Sequence, residues 1–192
     1  YNTKYDPGQK NNIINENKDI ANEMQKFYDD WWEEASKEFK YSYIDIYPNI
    51  TNTITAHDVQ VNSITAWDQS VIRKGIPYEL GKFNVDFKKS GEYKITLRRW
   101  PKESNLNLRD SIDDYIPAKK YWDQQSSGKS MNIVSAYIKI GDKEYKVDLS
   151  DNLKTASVNI DISSGKTSLE PGFILDNGET STAFYTDIDF LF

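Results

Sequence analysis

The sequence predicts a mainly β protein, an antiparallel β-sandwich of jelly-roll type preceded by one amphipathic α-helix. Three observations carry this. Apolar residues recur at spacings of three and four from Lys18 to Phe39 and then switch to alternation in the later segments. Gly-containing pairs such as Ser90-Gly91 and Gly141-Asp142 fall between alternating runs, as short antiparallel connections require. With 38% hydrophobic and 14% aromatic residues among 192, the chain can build a core, and 13 Tyr, 8 Phe and 5 Trp lead one to expect that core to be largely aromatic.

The first element is a polar turn, Tyr5-Asp6-Pro7-Gly8-Gln9-Lys10-Asn11-Asn12, where Pro-Gly reverses the chain. It has neither a basic n-region nor an apolar h-region, so it does not read as a signal peptide. It reads instead as the continuation of a preceding domain. The helix follows, with Ile20, Met24, Phe27, Trp31, Ala35 and Phe39 on one stripe and Ala21, Tyr28 and Trp32 beside it. Asn17 is the expected N-cap, and Asp19 and Glu23 suit the positive end of the helix dipole. A stripe this aromatic is expected to be buried against a partner surface.

Strands are expected at 41–47, at 81–100 as two runs joined at Ser90-Gly91, at 133–149 as a hairpin turning on Gly141-Asp142, at 155–163 and at 182–192. Phe83, Val85 and Phe87 share one face, as do Tyr93, Ile95 and Leu97. The last run is expected to place Phe184, Ile188, Phe190 and Phe192 together. Roughly eight to ten strands fit a sandwich. The stretch from Pro101 to Met131 has no sustained period, and loops of that length are usually functional or mobile. The expected division is a helical segment at 1–40 and a sandwich at 41–192.

Charge narrows the function. Twenty-four basic against 30 acidic residues leave a net charge of −6. That argues against nucleic acid and against an anionic membrane surface, both of which need a basic face. No apolar run is long enough for a membrane-spanning helix. Without cysteine there is no thiolate metal site, Cys nucleophile or disulfide, and a single histidine, His57, excludes two-imidazole zinc sites.

Chemistry then concentrates in three places. In "LRRWPKES" (97–104), a core-facing Tyr93, Ile95 and Leu97 turn Arg99 inward and Arg98 and Trp100 outward. An inward guanidinium needs a carboxylate or a set of carbonyls, and Asp58, Asp68 and Glu103 are structural ion-pair candidates. Outward, Arg98 could hold a sulfate or carboxylate with Trp100 as a stacking platform. His57 and Trp67, in "TAHDVQVNSITAWDQS" (55–70), complete a glycan-binding candidate set of His57, Trp67, Arg98 and Trp100. Asp110, Asp113 and Asp114 could offer oxygens to Ca²⁺, but their spacing departs from D-x-D-x-D-G and a solvated acidic loop is the plainer reading. No catalytic constellation is expected, so neither is an enzyme.

"YDPGQKNNI" and "ANEMQKFYDDWW" are similar to the segment that closes the catalytic domain of bacterial sulfatases of the arylsulfatase A/B type. Asp6, Pro7, Gly8, Gln9 and Asn12 match that segment and Trp31-Trp32 match the helix end, while Tyr1-Asn2 departs from its first Tyr-Asp. "HD" (57–58), "WDQSVIRKG" (67–75) and "GEYKITLRRWPKES" (91–104) resemble an extra C-terminal β-domain on some of these enzymes. The resemblance implies a non-catalytic accessory domain of a periplasmic or secreted sulfatase, with the parent catalytic domain as its partner. The parent would use Ca²⁺ and formylglycine. Neither is expected in this chain, because no residue two places before a proline is Cys or Ser. The pattern Phe-x-Val, then Gly-x-Tyr-x-Ile-x-Leu, at 83–85 and 91–97, also resembles jelly-roll carbohydrate-binding modules. That resemblance implies the alternative function, recognition of sulfated or acidic glycans.

Overall fold

A computed structural model of the chain describes residues 1–37, 42–59, 69–75, 81–115, 117, 127–149 and 153–192. The chain divides into two compact units, Tyr1–Tyr41 and Ser42–Phe192.

In the first unit the Asp6 carboxylate accepts the backbone N–H of Lys10 at 3.1 Å and of Asn11 at 2.8 Å, which closes the Asp-Pro-Gly turn. Those two donors, Asn11 first, hold the Asp6 pKa below its ordinary value. Helix α1 spans Lys18–Ser36. Asn17 stands at its N-cap, but the side chain does not cap; its amide turns back to donate to the carbonyl of Ile13 at 2.9 Å. The apolar stripe is present as the spacing predicts, but the helix buries no residue. Phe27 is 75% exposed, Trp31 52% and Trp32 43%, with Tyr28 stacked on Trp32. Phe39 lies outside the described residues. Among the described residues no helix is long and apolar enough to cross a membrane.

The second unit is mainly β, as the alternation predicts. Its strands are β1 (Ile44–Ile46), β2 (Asn52–Thr55), β3 (Phe83–Phe87), β4 (Gly91–Arg98), β5 (Ile133–Ile140), β6 (Lys143–Val147), β7 (Ala156–Ile162), β8 (Gly165–Leu175), β9 (Thr180–Thr182) and β10 (Tyr185–Phe190), with a one-turn helix α2 at Gln69–Arg73. One sheet runs β1-β3-β8-β5-β6, with β9 also on β8, and the other runs β2-β10-β4-β7. Pairing is antiparallel except at the β1–β3 edge. The inward rows of both sheets, among them Phe83, Val85, Phe87, Tyr93, Ile95, Leu97, Ile138, Phe173 and Ile188, form one buried cluster.

β3 and β4 differ from the sequence expectation in one respect. The chain between them does not close a hairpin but crosses from one sheet to the other. Their apolar rows therefore meet across the core, with the Phe87 and Tyr93 rings edge to face at 5.0 Å. Gly91 opens β4 in close contact with Phe190 and Phe192. At φ +152° a Cβ there would collide with the carbonyl of Phe192. The Gly141-Asp142 hairpin forms as expected between β5 and β6, with Gly141 at φ 56°.

β8 passes unrecognised by periodicity because Pro171 and Gly172 interrupt it. It accommodates the proline where its neighbour changes. Residues Gly165–Leu169 pair with β3 and Gly172–Ile174 with β9, so Pro171 sits at the handover and its carbonyl accepts from Ala183 at 3.0 Å. At the other end of the chain, Phe192 does not join Phe184 and Ile188 inside. β10 stops at Phe190, and Phe192 is 79% exposed.

Candidate functional site

Strand geometry places Leu97 and Arg98 on the faces the sequence implies. Leu97 faces the core and Arg98, one residue on, faces out across its sheet. Outward here does not mean free. Arg98 is 6% exposed and grips Asp187 of β10 through Nε at 3.2 Å and Nη2 at 2.9 Å to each oxygen. Thr53 Oγ1 donates to the same carboxylate at 2.8 Å, and Lys102 Nζ lies 3.1 Å away. Burial pushes the Asp187 pKa up, but the hydrogen bonds from Arg98, Thr53 and Lys102 outweigh it and hold the group below its ordinary value. The Tyr185 ring lies 5.3 Å from the Arg98 guanidinium. An Arg spent on a carboxylate is not available to a sulfate, so Arg98 positions its neighbours.

Arg99 points inward and is fully buried. Its partners are carbonyls rather than a carboxylate: Nη2 donates to Ile72 at 2.9 Å and Lys129 at 2.6 Å, and Nη1 to Asp110 at 3.0 Å and Leu108 at 3.5 Å. Burial lowers its pKa to about 10, with the Asp110 charge opposing. Trp100 is 6% exposed and covers this guanidinium, ring centroid to Cζ 4.4 Å, so it is no stacking platform for a ligand.

The remaining predicted residues do not converge. Asp58 accepts from the N–H and hydroxyl of Thr55 in a capping box, at 2.7 and 2.9 Å, and forms no pair with Arg99. Glu103 is exposed in the turn Lys102–Ser104. The Asp110 carboxylate accepts from the N–H of Asn107 at 2.8 Å, and Asp113 and Asp114 are exposed. Among the described residues no group of three such ligands could hold a metal ion. His57 is exposed and lines a pocket of about 220 Å³ with Gln69, Ile72, Phe184 and Tyr185. Trp67 and Asp68 lie outside the described residues.

A second concavity of this unit is one that periodicity does not single out. On the outer face of the first sheet, a groove of about 290 Å³ runs over β8, lined by Tyr137 and Lys139 of β5, Glu144 of β6, Glu170 of β8, and Thr180 and Thr182 of β9. Alternation explains the set. Ala136 and Ile138 are fully buried, so Tyr137 and Lys139 face out, and Leu169 and Phe173 turn Glu170 and Gly172 out with them. Tyr137 is paired directly with Gly172, and its ring lies where a side chain there would stand: a Cβ at Gly172 would fall on Cζ, Cε1 and Oη. The plain structural reading is a ring that covers a cross-strand glycine. The same placement holds a half-buried aromatic ring rigidly in a groove rimmed by hydroxyls, two carboxylates and an ammonium group. Its signal in the sequence is Tyr137 itself, an aromatic on the polar side of an alternating strand.

No protein-family model matches the chain, and no curated protein matches it. Among solved structures, a carbohydrate-binding module described as CBM35 from Cellvibrio japonicus Abf62 is similar at a TM-score of 0.32 and 12% identity. The likeness covers 56% of this chain and 62% of that one, and at this degree it carries no argument.

Proposed function

We propose that residues 42–192 form a non-catalytic carbohydrate-binding module whose groove over β8 receives a sugar ring of a glycan. The observation that carries this reading is the Tyr137 ring, fixed over Gly172 in a groove with Glu170, Lys139, Thr180 and Thr182 around it. A sugar offers an apolar C–H face and a belt of hydroxyls, and such a groove offers an aromatic surface with a few fixed polar groups. The groove stands mostly on four sheet strands, β5, β6, β8 and β9, which suits pre-organised binding. The test is calorimetric titration of the chain with a panel of oligosaccharides. Saturable binding that weakens about tenfold or more in Tyr137→Ala, with the far-UV spectrum unchanged, supports the reading. Binding equal in the variant and the parent would remove the groove from the account.

A second reading concerns the first unit, and the exposed row of Phe27, Tyr28, Trp31 and Trp32 favours it. We infer that this helix docks on a catalytic domain to which the chain belongs, which the resemblance to sulfatase tails makes a secreted sulfuric ester hydrolase. The chain alone would then turn over no sulfate ester, and Ca²⁺ and formylglycine would belong to the parent. Residues upstream of Tyr1 decide it: a Cys/Ser-x-Pro-x-Arg motif there supports the parentage, and its absence from the full coding sequence would dismiss it.

A further inference from the structure

The charges in the groove select among sugars. Resting on the reading of this groove as a sugar site, we infer that its ligand is a basic glycan built of hexosamine units with free amino groups, not a sulfated or uronate chain.

Register sets the charge pattern. Lys139 is the direct cross-strand partner of both Glu144 on β6 and Glu170 on β8. Its ammonium lies 3.5 Å from Glu144 and 5.4 Å from the centre of the Tyr137 ring. Lys139 and Glu144 thus offset one another. Glu170 is half-buried and has no hydrogen bond or ion pair among the described residues. Among the described residues the lining therefore carries one negative charge more than it has positive, beside the aromatic ring. A chain of net charge −6 adds a long-range field of the same sign.

An anionic sugar entering here would meet Glu170 in a partly desolvated groove, where like charges repel more strongly than in water. A protonated amino group instead gains a charge-assisted contact with the Glu170 carboxylate. A neutral or N-acetylated sugar gains the stacking and hydroxyl contacts alone. Arg98, the group best suited to an anion by its chemistry, is committed to Asp187 on the other sheet.

The experiment titrates the full chain with oligomers of glucosamine, of N-acetylglucosamine and of a sulfated hexose, at low salt and at about 0.15 M, where charges are screened beyond about 8 Å. The expected result is glucosamine oligomers binding about tenfold tighter than the N-acetylated ones at low salt. That preference should shrink on adding salt and fall to about twofold or less in Glu170→Gln. Equal affinity for the N-acetylated oligomer, tighter binding of the sulfated one, or a preference indifferent to Glu170→Gln overturns the ligand class. If Tyr137→Ala still abolishes binding in those cases, the groove remains a sugar site. No binding of any of the three oligomers overturns both the ligand class and the sugar-binding reading.

Discussion

Arg98 and Asp187 meet diagonally across β4 and β10, two residues out of direct register, with three N–H···O contacts between 2.9 and 3.2 Å, and both side chains are withdrawn from water. Removing one partner strands the other. Arg98→Ala and Asp187→Ala are each expected to cost about 3–5 kcal/mol in urea unfolding. The double variant should cost less than the sum, because the second deletion removes a group the first has left unpaired.

Acid should act through the same carboxylate. The folded pKa of Asp187 lies below its ordinary 3.8, so the stability it contributes is complete above that value and is lost as pH falls through the folded pKa. Asp187→Asn lacks this contribution at every pH. The gap in unfolding free energy between the two proteins should be constant at neutral pH and narrow as pH falls below about 3.8. A gap that widened with acid would contradict the assignment.

Arg99 joins four carbonyls from α2, from the stretch after Trp100 and from Lys129, so one side chain ties three separate pieces of chain together. Lysine keeps the charge but cannot present the planar fork. Arg99→Lys is expected to lose about 2–3 kcal/mol. Limited proteolysis should then cut first between residues 101 and 131, while cleavage spread evenly over the sandwich would argue against this role.

Alanine at Gly172 has no room beneath Tyr137. Gly172→Ala should displace the ring and destabilise the chain by about 1–3 kcal/mol, although alanine at a strand position otherwise costs less backbone entropy than glycine. Glycan binding should fall with it, measured by the same titration.

Helix α1 buries no residue, and short helices without tertiary support are marginal in water. Amide exchange across Lys18–Ser36 should be complete long before that of β4, β8 and β10. Protection of the helix equal to that of β4 would show support that its own unit does not supply.

Periodicity makes much of the fold legible. β3, β4, β5 and β7 alternate because each has one face in the core, and the α1 stripe is equally plain. β8 hides behind Pro171 and Gly172, and β9 has only three residues, too few to show a period. Which sheet a strand joins is not written in its alternation, and the β3–β4 crossing shows it, since both apolar rows look alike until they are set face to face. In the site, the inward turn of Arg99 follows from counting along β4. Its carbonyl partners and the union of Arg98 with Asp187, 89 residues away, come from tertiary register. The groove needs β8 placed beside β5, so Tyr137 alone could signal it.

The order in which the chain visits its two sheets has a consequence for its synthesis. β1, β3, β5, β6, β8 and β9 lie in one sheet, β2, β4, β7 and β10 in the other, so the chain keeps changing sides. β10, which follows the other nine strands in the sequence, is the piece that joins β2 to β4. Until it leaves the ribosome, both of those strands present open edges able to pair with another chain. Such long-range closure is slow. Loss of β10 alone would leave that sheet in two parts, with the carboxylate that holds Arg98 gone as well.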